Sequence, residues 1–386
     1  MHYIPYSRQH ISDDDIAAVV AALRADFVTQ GPAIDAFEAA FAERHHAAHA
    51  VAVSNATAGL HLACLALGVG PGSRVWTSPI SFVASANCAL YCGASVDFVD
   101  IDPTARNLSV DALRSKLERA ARDGTLPQVV IPVDFAGLPC DLREMRGLAD
   151  RYGFAILEDA SHATGASYLG QPVGSRFADA TVFSFHAVKI LTTAEGGLVA
   201  THDAALAQRL RALRSHGITR DTAALERASD GPWYYEQQSL GFNCRMTDLQ
   251  AALGSSQLKR LESMHERRIA LADRYDQLLA DLPLQLPARL PDRVSAWHLY
   301  SVEIDTDRSA TPRLEVFNSL RDAQIGVNVH YIPIHTQPHY ERLGFKRGDF
   351  PAAERYYGRC LSLPLYPTLT EAEQDHVVAC LRAVLA

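Results

Sequence analysis

Residues 181–201 read TVFSFHAVKILTTAEGGLVAT: a β-favouring run, one lysine, a glycine pair, then a second β-favouring run. Lys189 is the centre of the stretch. Val182, Phe183, Phe185 and Val188 are groups that solvate an ammonium poorly, and desolvation favours the neutral, nucleophilic amine. Such a lysine can form a Schiff base. Ser184, five residues earlier, can hydrogen-bond an anion, and Gly196 and Gly197 let the backbone turn close beside a bound group. The same pattern also fits a β-hairpin whose lysine is merely exposed, so the flanking chain has to decide between the two.

Upstream, strands and helices alternate. VAVSNATAGLHLACLALGVG (51–70) passes from a β-favouring run through a polar turn into an apolar helix. The SNAT turn fits either a phosphate site at a helix start or an ordinary N-cap. RVWTSPI, a helix through ASANCALYCG, VDFVDID, a helix near Val110 to Arg122, QVVIPVDFAG, a helix near Leu142 to Tyr152 and the run FAILED (154–159) then follow in turn. This alternation predicts a mostly parallel sheet with helices on both faces, in which ligands collect at the carboxyl ends of strands. Asp159 ends FAILED, and the small-residue loop ASHATGAS after it lets a ligand approach. A helix cap or a surface charge is the plainer reading of such an acid.

Further out, residues 1–11 read as an extended arm and Ser12 as the N-cap of a helix with acids in its first turn. A second helix runs from about Ala33 to Arg44. TRDTAALERASDGPWYYEQQ (219–238) is a long polar and aromatic excursion, and 246–283 forms the longest helical region. Beyond Pro283 the pattern becomes α+β, with WHLYSVEID and GVNVHYIPIH as strands, a helix near Pro312 to Ala323 and a final helix from about Glu371 to Val384. The expected organisation is an arm (1–11), a large domain (12–255) and a small C-terminal α+β domain (256–386).

The 386 residues are 48% hydrophobic and 21% charged, ordinary values for a folded chain too long for one compact core. A formal net charge of -8 without a block of Lys or Arg argues against nucleic acid or an anionic membrane as partner. No apolar run spans a bilayer, and the N-terminus has no signal core. The seven scattered cysteines read as reduced thiols, mostly buried, and the expected location is the cytoplasm. Among 16 histidines, His45 and His46 read as helix-surface residues. His186 fits either a ligand contact or a packed ring, and His330 and His335 lack the further ligands of a metal site.

An amine in a turn, an acid ending an earlier strand, the aromatic Phe82 after another strand and a phosphate-type strand-turn-helix are the parts that pyridoxal 5'-phosphate (PLP) requires. Its aldehyde needs the amine, its pyridine nitrogen an anion, its ring face an aromatic slab and its phosphate N–H and hydroxyl donors.

With QGP (30–32), SNATAGLH (54–61), SFVASAN (81–87), EDASHATGA (158–166), FSFHAVKILTTAEGG (183–197) and GFNCRMTDLQAALG (241–254), the chain resembles the DegT/DnrJ/EryC1/StrS sugar aminotransferases. These have the aspartate-aminotransferase fold, fold type I of the PLP enzymes. YSRQ (6–9), DGPWYYEQQSLGFN (230–243), VHYIPIHTQPHY (329–340) and LSLPLYP (361–367) resemble the branch of that family serving pseudaminic acid biosynthesis. The resemblance implies that Lys189 carries PLP, Asp159 pairs with the pyridine nitrogen, Phe82 stacks on the ring and His162 lies near the phenolic oxygen. It also implies that Ser184 with the Thr57 and Ala58 backbone holds the phosphate, and that Asn243 reaches the partner's cofactor across a homodimer with shared active sites. Tyr6, Thr29, Ala56 and the His330, Tyr331 run match substrate-side positions. The implied reaction moves an amino group from L-glutamate, through pyridoxamine 5'-phosphate, to a UDP-linked 4-keto sugar. Ala194, His162 and Cys244 depart from the family's usual glycine, glutamine and tyrosine. Related 4-keto sugar aminotransferases of bacillosamine or perosamine type, and a non-catalytic PLP-fold binding protein, are the alternatives.

Overall fold

A computed structural model describes residues 3–385. Seven strands, β1 (His49–Val53), β2 (Arg74–Thr77), β3 (Ser95–Phe98), β4 (Val129–Ile131), β5 (Ala155–Asp159), β6 (Ala180–Ser184) and β7 (Gly197–Thr201), form one sheet. Its order is β1-β7-β6-β5-β4-β2-β3, and only β7 runs against its neighbours. Successive strand residues face opposite sides, and each side is covered. Val75, Val129, Leu157 and Val182 pack under α3 (Ala56–Ala66), α4 (Ala84–Tyr91) and α7 (Ala204–Arg214). Trp76, Val130 and Ile156 pack on the other side, under α5 (Val110–Asp123) and α6 (Leu142–Tyr152). Phe183 and Leu198 extend that side beneath α2 (Pro32–Arg44) and α8 (Asp248–Leu258). A sheet buried on both faces explains why its strands read as near-continuous apolar runs. Ser12 caps α1 (Asp13–Leu23) through a capping box with Asp15, as its position predicts.

The C-terminal part has its own core. The antiparallel strands β8 (Leu284–Gln285), β9 (Tyr300–Ile304) and β10 (Cys360–Leu363) pack with α9 (Leu261–Leu279), α10 (Arg313–Asp322) and a last helix, Glu371–Leu385. Ile4 belongs to this core. Its N–H donates to Gln324 O (2.9 Å) and its carbonyl accepts from Gly326 N, so the arm is pinned to the C-terminal half. Residues 1 and 2 of that arm lie outside the described residues.

Three expectations are corrected. The helical region 246–283 breaks at Lys259 and Arg260 into α8 and α9, and Arg260 Nη2 at the break donates to buried Asp15 (2.5 Å). We propose to set the domain boundary at this break, slightly beyond residue 255. GVNVHYIPIH forms no strand: Asn328 makes one bridge to Ser362, after which the chain leaves β10 and ends in a short 3-10 turn, Ile334–Thr336. The four consecutive residues Asn328 to Tyr331 line a cavity wall instead, and Pro333 has no N–H for a ladder. His45 is buried, its ring stacked 3.9 Å from that of Phe41 with Nδ1 against Phe41 O, because α2 ends there and folds its last side chain inward.

Gly197 starts β7 directly beneath the turn between β1 and α3. A Cβ on it would lie 2.5 Å from Asn55 C and 2.6 Å from Ala56 N, backbone atoms that cannot rotate away. At Gly196 the obstacles are the side chains of Thr193 and Met246. Gly197→Ala is therefore expected to lower stability by about 1–3 kcal/mol, and Gly196→Ala by less, in urea denaturation. Equal costs at the two sites would contradict this reading of the turn.

Candidate active site

The carboxyl ends of β1, β4, β5 and β6 open on a cavity of about 840 Å³. Lys189 stands in the loop between β6 and β7, where its N–H donates to His186 O (2.9 Å). The loop is closed by Phe185 N to Gly196 O and by Thr193 N to Phe185 O, both 2.9 Å. Ala194 in that loop has φ 66°, the left-handed region that explains the glycine usual at this position in the resembling family. Lys189 is half-buried and lines the cavity, with Asp159, His162 and His330 close by. Burial pushes its pKa down to about 8, against the pull of Asp159 in the other direction.

Asp159 is set by the β5–β6 ladder, opposite Val182. Its Oδ2 accepts from Ser85 Oγ (2.6 Å) and its Oδ1 from Ser161 Oγ (2.5 Å) and Ser161 N (3.2 Å). Phe82, 58% exposed, presents an open ring to the same space. The hydroxyls of Ser184 and Thr57 line the cavity with no hydrogen-bond partner among the described residues. Thr57 lies in the first turn of α3, where unpaired N–H groups and the helix dipole favour an anion. At the same helix start the Ala58 N–H donates to Oδ1 of Asn55, the N-cap, at 2.8 Å.

His162 is buried and kept neutral, its pKa pushed well below the usual range by burial and by Lys189. Its Nε2 lies 3.2 Å from Tyr331 Oη, and its ring packs 4.4 Å from that of His298. His330, pushed down to about 4 by burial, pairs Nδ1 with Ser362 Oγ at 2.8 Å and packs 5.5 Å from the Tyr6 ring. His186 and Glu195 face each other at the mouth, 3.7 Å apart.

Tyr6, Ala56, Thr57, Phe82, Asp159, His162, Ser184, His186, Lys189, His330 and Tyr331 thus line one cavity. Thr29 and Asn243 do not: both are exposed and pair elsewhere, Thr29 with Thr247 and Asn243 with Ser215. Sequence reasoning missed Ser85, Ser161, Glu195 and Asn328. Ser85 lies one helical turn after Phe82, and Ser161 two residues after Asp159 at hydroxyl-to-carboxylate turn spacing, so both were within reach of pattern. Glu195 and Asn328 belong to irregular backbone and carry no periodic signal.

One amine, one carboxylate, an open aromatic face and uncommitted hydroxyls at a helix start fit an anionic aromatic aldehyde. The depressed Lys189 pKa gives the cofactor-free protein a pH signature. A charged Lys189 costs folded-state stability fully below pH 8, and the cost fades as pH rises toward the ordinary lysine value of about 10.4, where the unfolded chain also loses its proton. Lys189→Met should therefore stabilise the cofactor-free protein by roughly 1–3 kcal/mol at neutral pH. Urea midpoints of the two proteins should converge at alkaline pH, and a gap that stays constant with pH would refute the assignment.

Comparison with known proteins agrees with this geometry. Residues 9–382 match the profile of the DegT/DnrJ/EryC1/StrS aminotransferase family. The chain is 42% identical over its whole length, and over 97% of the relative, to the spore coat polysaccharide biosynthesis protein SpsC of Bacillus subtilis. Among solved structures it is similar to the putative sugar aminotransferase Spr1654 from Streptococcus pneumoniae in its PMP form, at 30% identity and a TM-score of 0.89, covering 99% of this chain and 98% of that one. The PLP form of Spr1654 gives a TM-score of 0.88. It is also similar to Helicobacter pylori PseC, an aminotransferase involved in the biosynthesis of pseudoaminic acid, at 30% identity and a TM-score of 0.89, with 99% of each chain covered. The chain belongs to the DegT/DnrJ/EryC1/StrS family and is a PLP-dependent sugar aminotransferase of fold type I.

Proposed function

We propose that the enzyme transfers an amino group from L-glutamate to C4 of a UDP-4-keto-6-deoxy-N-acetylhexosamine, giving UDP-4-amino-4,6-dideoxy-N-acetyl-β-L-altrosamine for pseudaminic acid biosynthesis in the cytoplasm. The observation that carries this reading is the cavity wall opposite the sheet. YSRQ and VHYIPIHTQPHY, two stretches resembling the pseudaminic branch, meet there through the rings of Tyr6 and His330, and the PseC likeness over the full chain supports it.

Bound PLP supplies an aldehyde for covalent attachment and a ring that takes up electrons. Lys189 Nζ is the attaching amine. Once released, it moves a proton between the cofactor's C4' and the sugar's C4, a role suited to a pKa of about 8. Asp159, oriented by Ser85 and Ser161, keeps a carboxylate oxygen toward the ring nitrogen. Phe82 would cover one ring face, His162 would stand by the phenolic oxygen, and Ser184 with Thr57 and the start of α3 would hold the phosphate. Tyr6, Ala56, His186, His330 and Tyr331 orient the sugar.

Shared sites in a homodimer complete this reading. Lys189 is the one lysine or arginine among the lining residues, while the cofactor phosphate and a nucleotide diphosphate together bring several negative charges. Asn243 and Thr29 are turned outward, and the chain between Lys189 and Asn243 exposes Trp233 and Leu240, 72% and 81% accessible. Asn243 then donates to the phosphate held by Ser184 of the other subunit, and Thr29 meets the other subunit's substrate.

A second reading, another nucleotide-4-keto-sugar aminotransferase of bacillosamine or perosamine type, is favoured by the 42% identity to a spore coat polysaccharide protein. Incubation with glutamate and a panel of UDP- and dTDP-4-keto-6-deoxy sugars, with products identified by NMR, separates the two. The altrosamine product is expected, and amination of a different sugar alone would reject the first reading. Lys189→Ala should be inactive, and Asn243→Ala should hold PLP more weakly. Mixing these two variants under subunit exchange should restore activity above either one, because one site of each heterodimer then has both residues intact. Absence of recovery in proven heterodimers would place Asn243 in its own chain's fold.

A further inference from the structure

Behind Asp159 lies a second pair of acids that the chemistry above does not use. Glu158 precedes Asp159 on β5 and faces the other side of the sheet, opposite Thr181 of β6. Asp134, just past β4, is held against β5 by its N–H to Asp159 O (3.1 Å). Both carboxyls are 0% exposed, and neither lines the cavity.

Their hydrogen bonds leave one acceptor oxygen on each without a donor among the described residues. Glu158 Oε2 accepts from Thr181 Oγ1 (2.7 Å), and Asp134 Oδ1 accepts from Cys140 N (2.9 Å). Asp134 Oδ2 and Glu158 Oε1 have no donor among the described residues, although the two carboxyls lie within hydrogen-bond contact of each other. Two ionised carboxylates are acceptors only and cannot satisfy one another. The titratable groups facing the pair are Asp159 from β5 and the Cys140 thiol from the turn after β4; no cation is among them. Burial, with the charge of Asp159, pushes Asp134 up to about 7 although contact with Glu158 pulls it down, and burial with the charge of Asp134 pushes Glu158 well above its ordinary value, the behaviour of acids that share a site.

We propose that Asp134 and Glu158 hold one proton between them and carry, as a pair, a single buried negative charge that reinforces Asp159 in stabilising the protonated ring nitrogen of bound PLP. The two are positioning residues, and the proposal rests on Asp159 facing that nitrogen.

The proton count makes the test selective. In Glu158→Gln the amide donates to an ionised Asp134, and in Asp134→Asn it donates to an ionised Glu158, so each single variant keeps one negative charge. Only the double variant loses it. The readout is the pH midpoint of the visible absorption of PLP bound to the purified holoenzyme. Near-wild-type midpoints are expected in both single variants, with a fall of ~1 pH unit in the double variant. Equal large falls in the singles would mean two charges, and an unmoved midpoint in the double variant would mean none; either overturns the proposal. Asp159→Asn serves as the control. An unmoved midpoint there overturns the reading of Asp159 and the proposal with it, whereas a moved one beside an unmoved double variant overturns the pair alone. Should the variants fail to fold, infrared spectroscopy of the wild-type holoenzyme at mildly alkaline pH decides. A shared proton gives the carbonyl band of an un-ionised carboxyl, and its absence rejects the proposal.

Discussion

The opposition of a desolvated amine and a carboxylate, Lys189 and Asp159, is the constraint around which the sheet is built. Each is unfavourable where it stands. An ammonium loses water in the loop after β6, and a carboxylate loses it at the end of β5, so each needs the other or a bound group of complementary charge. The parallel β5–β6 register fixes the geometry by pairing Asp159 with Val182, and the β6–β7 register closes the loop by pairing Ser184 with Gly197. Burial of the strands on both faces makes that register costly to change, since a slip by one residue would send every core side chain to the wrong helix layer.

This also explains what could be read from the chain before its structure. The elements at the chemical centre are those under the strictest physical rules. Buried parallel strands read as apolar runs, Asn55 and Ser12 sit where helix starts need acceptors, and Gly197 lies where backbone meets backbone. The misreadings fall where two rules compete. Asn328 to Tyr331 alternate polar and apolar like a strand, yet the chain there pairs at one bridge only and all four residues line the cavity. His45 reads as surface by its helix position but is buried by the fold-back of the helix end. Ser85 and Ser161 needed knowledge of which atoms Asp159 presents, and that depends on side chains 74 residues apart in the case of Ser85.

Chemistry and recognition are built on different kinds of backbone. Asp159, Ser184 and Thr57 stand at the ends of sheet strands or on the first turn of a helix packed against them, positions with little freedom, and Lys189 stands in the loop that β6 and β7 hold closed. Tyr6 comes from the N-terminal arm, and Asn328, His330 and Tyr331 come from irregular chain in the C-terminal half, joined through the backbone bonds of Ile4 to Gln324 and Gly326. Tyr6, His330 and Tyr331 therefore share one support, which is itself tied to the sheet side by Ser7 Oγ to Val188 O and Ile334 N to Pro79 O.

The charge state of the cavity follows from how its imidazoles are buried. His162, His298 and His330 lie close to Lys189, and burial together with the lysine's charge holds all three below their usual range. A protonated imidazole beside a lysine would repel a proton arriving on that amine, so neutral rings at His162, His298 and His330 spare Lys189 three like charges. Tyr331 and Ser362 engage His162 and His330 through hydroxyl groups, which hydrogen-bond a neutral ring without requiring it to ionise. Carboxylates in the same places would draw protons onto the rings and undo the arrangement, and among the lining residues the carboxylates are confined to Asp159, beneath the lysine, and Glu195, out at the mouth beside His186.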